Sequence, residues 1–342
     1  MKGLHQTSRV PLSSAGRTIW LIGQVVAFVV TGLVVLGLFI IPDLTLKIVW
    51  YVVVPLLPAS FLINAGMWRG LCPLAGVNML PNREKGFVFT GKWIPWASTV
   101  GLVLLGVLVP LRHILLNVNG PALAILLVSI VALALGMGFL VQAKGGFCNS
   151  ICPVLPVEKL YGQSPLIAVR NPRCVPCTLC TSKGCLDVDP SISVKHAVGP
   201  SDDRGKWLLT PFGFFAAAFP GFIYGYFQLS DSTLDAVWSV YQTVFMYAGL
   251  SLALVAVSAI VANVSSKLML PFLGAFSVGL YYWFAVPASF NAFSLSGGTV
   301  VRWLFLALVA FWLYRALQGI GPAPSSGSPR VKSVRAASLP KS

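Results

Sequence analysis

Four thiols stand within a dozen residues in the run Cys174-Val-Pro-Cys177-Thr-Leu-Cys180-Thr-Ser-Lys183-Gly184-Cys185. Three cysteines spaced by two residues let one tight loop place three thiolates on three corners of an iron–sulfur cubane, with backbone amides left to donate to the sulfides. Structural zinc is the rival. Zinc sites pair two thiols closely and two more across a longer gap, so thiols at i, i+3 and i+6 favour a 4Fe-4S cluster. Cys185 follows after four intervening residues, with Leu186 where bacterial ferredoxin runs place proline. Five chain steps span at most roughly 17 Å, so Cys185 either folds back to its own cluster, helped by Gly184, or points to a neighbour.

Two further motifs end in Cys-Pro. Cys148-Asn-Ser-Ile-Cys152-Pro153 has a C-x3-C spacing. Its thiols are either ligands or small hydrophobes packed at a helix end, and the nearby triplet favours ligands. Cys72-Pro73 stands alone in its loop, and nothing in its spacing decides between the two. Aligning Cys72-Pro73 on Cys152-Pro153 brings Val77 onto Val157 and Leu80 onto Leu160, and puts Trp68 where the second copy has Cys148. Two hairpins of helices, each ending in Cys-Pro, suit a duplicated scaffold around a common site. Seven cysteines are one short of two all-cysteine cubanes. Either one cluster leaves thiols spare, or a second cluster takes a non-cysteine ligand. Asp187, Asp189 and His196 are chemically able to serve, and otherwise read as solvated loop residues.

The elements that must position these thiols are apolar. Hydrophobic residues make up 56% of the 342 and charged ones only 10%, which describes an all-α polytopic membrane protein with a small irregular iron–sulfur loop domain. With about 20 apolar residues per crossing, the sequence predicts about eight transmembrane helices, near 18–41, 48–66, 93–111, 121–142, 207–228, 236–262, 268–290 and 300–318. Pro55, Pro58, Pro95 and Pro110 interrupt or flank the second and third, which membrane helices tolerate. The parts are then a cytoplasmic N-terminus 1–17, a four-helix half 18–142, a ferredoxin-like segment 143–206, a second four-helix half 207–318 and a disordered basic tail 319–342.

The net charge of +15 follows topology and not nucleic acid, because the basic residues are scattered between apolar runs instead of forming a stripe with stacking aromatics. With the N-terminus inside, only Lys47, Arg112 and Arg302 fall outside. The positive-inside bias therefore predicts a multi-pass protein of the plasma (inner) membrane, in contact with lipid, with both termini and every cysteine loop cytoplasmic. The histidines, His5, His113 and His196, lie outside the span centres, which disfavours intramembrane haem. No span carries a convincing central charge, which argues against an ion-coupled transporter. Tyr224, Tyr226 and Tyr281-Tyr282-Trp283 read as interfacial anchors before a quinone site.

Over about residues 66–190, Cys72-Pro73, Cys148 with Cys152-Pro153, and Cys174, Cys177 and Cys180 resemble the membrane-bound ferredoxins of the NapH, NosR and FixG type. The resemblance implies electron relay between the quinol pool and other redox proteins, as in a subunit of a quinol dehydrogenase or other oxidoreductase complex. It departs from that pattern at Trp68, which replaces the first cysteine of the first motif, in having a single ferredoxin run, in the displaced Cys185 and in the four spans that follow. The expected function is an integral membrane carrier of single electrons with one 4Fe-4S cluster, or two, and a redox partner protein steered by Arg170, Arg173 and Lys183. The alternative is a membrane assembly or regulatory protein whose metal is structural or redox-sensing.

Overall fold

The computed structural model describes residues 14–81, 94–141, 146–167, 194, 198 and 205–318. The chain is helical throughout these segments: α1 Ser14–Ile40, α2 Pro42–Ile48, α3 Val54–Leu71, α4 Pro73–Met79, α5 Ile94–Leu111, α6 Gly120–Leu140, α7 Leu155–Tyr161, α8 Pro211–Phe227, α9 Val237–Val261, α10 Ser266–Ala292 and α11 Gly298–Gln318. Wider π-turns occupy Val49–Val53, Arg112–Leu116 and Phe147–Ile151. Among the described residues, seven helices are long and apolar enough to cross a membrane. The tail 319–342 and most of the 143–206 segment lie outside the described residues.

The second span starts earlier and ends later than the hydropathy predicts. Asp43 and Lys47 sit at its first turns, and Pro42 opens it, a position where the missing N–H costs nothing. The π-turn at Val49–Val53 lies just ahead of Pro55, and such wider turns let a helix absorb a residue that cannot donate. The expected fifth span is α8, only 17 residues long. Most of its residues are buried. Phe212, Phe215, Phe219 and Phe222 form a ladder with ring centroids 6.2, 4.6 and 6.1 Å apart, joined in one core to Phe61, Leu62, Tyr161, Trp207, Tyr282 and Trp312. Its other face carries Gly221 and Gly225, where a Cβ would meet Tyr247 O at 2.0 Å and Val244 Cα at 3.0 Å. This small-residue pair four apart brings α8 and α9 to backbone contact.

The helices run between two ends. At the end where α3 and α6 finish lie Cys72, Cys148 and Cys152, with the starts of α5 and α8 beside them. The opposite end is closed by a polar latch between the two halves of the chain. Trp50 Nε1 donates to Leu116 O (3.0 Å), and the Arg112 guanidinium lies 3.8 Å from the Trp50 ring centroid and 5.2 Å from that of Tyr226. His113, buried at the π-turn after α5, contacts Asp231 through Nδ1 (2.8 Å) and donates from Nε2 to Tyr226 O (3.0 Å). Asn117 Nδ2 donates to the same Asp231 oxygen (2.6 Å).

Partial burial works against the Asp231 charge. The hydrogen bonds from His113 and Asn117 and the charges of His113 and Arg112 outweigh it and hold the carboxyl below its usual range. A carboxyl depressed in the folded state contributes stability that is present above its unfolded value, about 3.9, and is lost as pH falls through the folded one. Thermal unfolding in detergent should therefore show Tm dropping below about pH 4, with Asp231→Asn removing that part of the dependence. His113→Ala should cost on the order of 1–3 kcal/mol, because the Asp231 carboxylate and the Tyr226 carbonyl each lose a hydrogen-bond partner.

Candidate metal centre at the two Cys-Pro turns

A proline ring disfavours a helical conformation in the residue before it, and at both Cys-Pro pairs the helical turn that carries the cysteine ends there. Cys72 closes α3 with φ −60° and ψ 121°, and Cys152 closes the Phe147–Ile151 turn with φ −60° and ψ 116°. The same elbow occurs twice. A seven-residue helix follows each, α4 directly after Cys72 and α7 after the two turn residues Pro153 and Val154. The internal repeat read from the cysteines is thus a repeat of backbone geometry.

The copies differ in the turn before the cysteine. Cys72 N donates to Trp68 O, four residues back, whereas Cys152 N donates to Phe147 O, five residues back. The extra residue of the π-turn makes Phe147 the counterpart of Trp68 by hydrogen bonding, although Cys148 is its counterpart by counting. Trp68 packs edge-on against Phe61 with centroids 5.9 Å apart.

Cys72, Cys148 and Cys152 are half-buried, and none is in a disulfide. Burial, with Cys72 and Glu158 close enough to add their charges, pushes the Cys152 thiol up to about 12, while backbone N–H groups of Val154 and Leu155 donate to its sulfur and pull the other way. Without a metal this sulfur keeps its proton at neutral pH. Amides aimed at a desolvated sulfur are what a cluster ligand receives, and a coordinating metal would displace the proton. The donor chemistry of Cys152, with Cys72 in electrostatic reach, fits an iron–sulfur ligand. Among the described residues no three His, Cys, Asp or Glu side chains converge as a complete metal set. Cys174, Cys177, Cys180 and Cys185, like Asp187, Asp189, His196 and the basic residues Arg170, Arg173 and Lys183, lie outside the described residues.

The described chain on either side tethers that segment. Asn64, with extended backbone inside α3, leaves the carbonyls of Leu62 and Ile63 without helical partners. Leu166 N and Ile167 N donate to them (both 3.0 Å), and Asn64 Nδ2 donates to Ile167 O (2.5 Å). From Ile167 the seven steps to Cys174 reach at most about 25 Å, and Ile63 is nine residues up α3 from Cys72, or about 14 Å at the helical rise. Beyond the run, Val194 and Val198 are buried in the main core.

Two glycines let the elbows close together. A Cβ on Gly101 of α5 would stand 2.9 Å from Cys152 O and 3.0 Å from Ser150 O, and one on Gly138 of α6 would stand 2.2 Å from Asn78 O. Arg69 pairs with Glu158 through Nε, both largely buried. Lys159 beside them is held down to about 8 by burial and by Arg69, with Glu158 opposing. The sequence reading missed Asn78, Glu158, Asn64 and the two glycines. The signal for the first pair was present, since Asn78 and Glu158 each stand six residues after their Cys. Comparisons with protein-family models, curated proteins and solved structures give no match to this chain.

Arg69→Met leaves the Glu158 carboxylate buried without its guanidinium and should destabilise the protein by about 3–5 kcal/mol. The double change Arg69→Met with Glu158→Leu should cost less, since Lys159 can shed its proton. Chemical denaturation of the two variants in detergent checks the order.

Proposed function

We propose that this chain is an integral membrane electron carrier with at least one 4Fe-4S cluster at its cysteine end, passing single electrons between a membrane quinol or redox complex and a second redox protein. The observation that carries the reading is the Cys152 sulfur, desolvated, receiving two backbone N–H groups and within electrostatic reach of Cys72. Cys174, Cys177 and Cys180 would hold the cluster, with Cys185 or the Cys-Pro cysteines as further ligands and Cys148, Cys152 and Cys72 available to a second. When bound, the cluster supplies one-electron chemistry, and the chain sets its potential through hydrogen bonds and burial.

In this reading α8 is an eighth crossing, because it runs between the same two ends as its neighbours and 17 residues is the lower limit for a span. The Lys and Arg distribution makes the cysteine end cytoplasmic. The resemblance to the NapH, NosR and FixG type of membrane ferredoxin points the same way. The exposed apolar faces of α1, α6, α9 and α11 supply the contact with lipid.

Anaerobic purification with iron, sulfide and zinc analysis tests this directly. About four irons per chain fit one cubane and about eight fit two, with a paramagnetic signal appearing on reduction. Cys177→Ser should lose that signal. Zinc without sulfide would sink the proposal in favour of a structural or sensing metal, and a reporter near Pro190 behaving as periplasmic would reverse the orientation.

A further inference from the structure

The two Cys-Pro turns exchange contacts, one from each short helix. Asn78, six residues after Cys72, accepts through Oδ1 from the N–H of Phe147, just ahead of the second motif (3.3 Å). Glu158, six residues after Cys152, accepts from Arg69 Nε, just ahead of Cys72. Both acceptors are buried, at 1% and 4% exposure. Phe147 opens a helical turn, so its N–H has no partner within that turn, and Asn78 provides one. Arg69 is a largely buried guanidinium, costly unless neutralised, and Glu158 neutralises it. Each short helix thereby holds the turn that carries the other cysteine.

This exchange is symmetric in geometry and asymmetric in charge. An amide reaches from the Cys72 side and a carboxylate from the Cys152 side. Adding an electron to a centre beside Cys152 adds negative charge near Glu158, and in a desolvated region that repulsion is only weakly screened.

We propose that Asn78 and Glu158 are positioning residues that hold Cys72 and Cys152 in register, and that the Glu158 carboxylate lowers the reduction potential of the centre these cysteines serve. The statement about potential rests on the iron–sulfur reading above. The statement about register does not.

Four variants of the full chain separate charge from geometry. Glu158→Gln keeps an oxygen for Arg69 and removes the charge, so the potential should rise by a tenfold change in the reduction equilibrium, about 59 mV for one electron. Asn78→Asp keeps the acceptor and adds an anion on the Cys72 side, so the potential should fall by a similar step. Neither should alter the line shape of the paramagnetic signal. Wild-type potentials in both variants would overturn the charge half. For register, a short bis-maleimide is reacted with the metal-free full-length protein in detergent, and the Cys72–Cys152 cross-link is measured by mass spectrometry. Wild type, Glu158→Gln and Asn78→Asp should cross-link alike, whereas Glu158→Leu and Asn78→Leu should lose tenfold or more in yield. Equal yields in all five would overturn the register half. Wild-type protein that holds no iron or sulfide after anaerobic purification would overturn the iron–sulfur reading and the potential half together, and the cross-linking would still decide register.

Discussion

The steric conflict between a proline ring and the residue before it governs the cysteine end of this protein. At Cys72 and Cys152 the helical path ends in the extended conformation this conflict favours, although Pro58, Pro110, Pro220, Pro271 and Pro287 are carried inside helices elsewhere in the chain. Cys72 therefore stands at an elbow between the long helix α3 and the seven-residue α4, and Cys152 at one between a five-residue π-turn and α7. At Cys152 the next two N–H groups, of Val154 and Leu155, work against burial at the sulfur, and Leu155 N also donates to Cys152 O (3.2 Å). Glycine at either cysteine's following position would free the elbow and scatter these amides.

An elbow by itself brings nothing together. The two become neighbours because α5 and α6 pass close beneath them at Gly101 and Gly138, where any side chain would strike backbone, and because each short helix sends a buried polar group across. In a region with so little water, the Arg69–Glu158 pair and the depressed Lys159 are expensive to assemble. They are intelligible as a fixed charge pattern around two sulfurs and have no evident value as a source of stability.

Much of the bundle was legible because an apolar run of twenty residues needs no periodicity to be recognised. The last three spans fall within two residues of their observed ends. What escaped had a physical reason in each case. The second span was cut short because Asp43 and Lys47 lower its hydropathy, although they lie at its polar end. The shortness of α8 reflects enclosure by neighbours, which hydropathy does not see. The π-turns have no compositional mark, so the count of four from Cys152 to Cys148 matched a hydrogen-bond spacing that is in fact five. The repeat itself was legible from Cys-Pro. Its working contacts were hidden because the sixth position carries Asn in one copy and Glu in the other, two residues alike in accepting a hydrogen bond and unlike in charge.

The stretch formed by α5 and the turn that follows it touches both ends of the molecule. Gly101 near its start supports the carbonyl of Cys152, and His113 in the turn that follows it is clamped by Asp231 and by the last turn of α8. Pro110 lies between these two contacts and cannot donate to the helical ladder, so α5 reaches the latch through a turn that is already widened at Arg112–Leu116. Gly101 sets how closely α5 can approach the Cys152 elbow, and the His113 contacts set where the same stretch of chain ends.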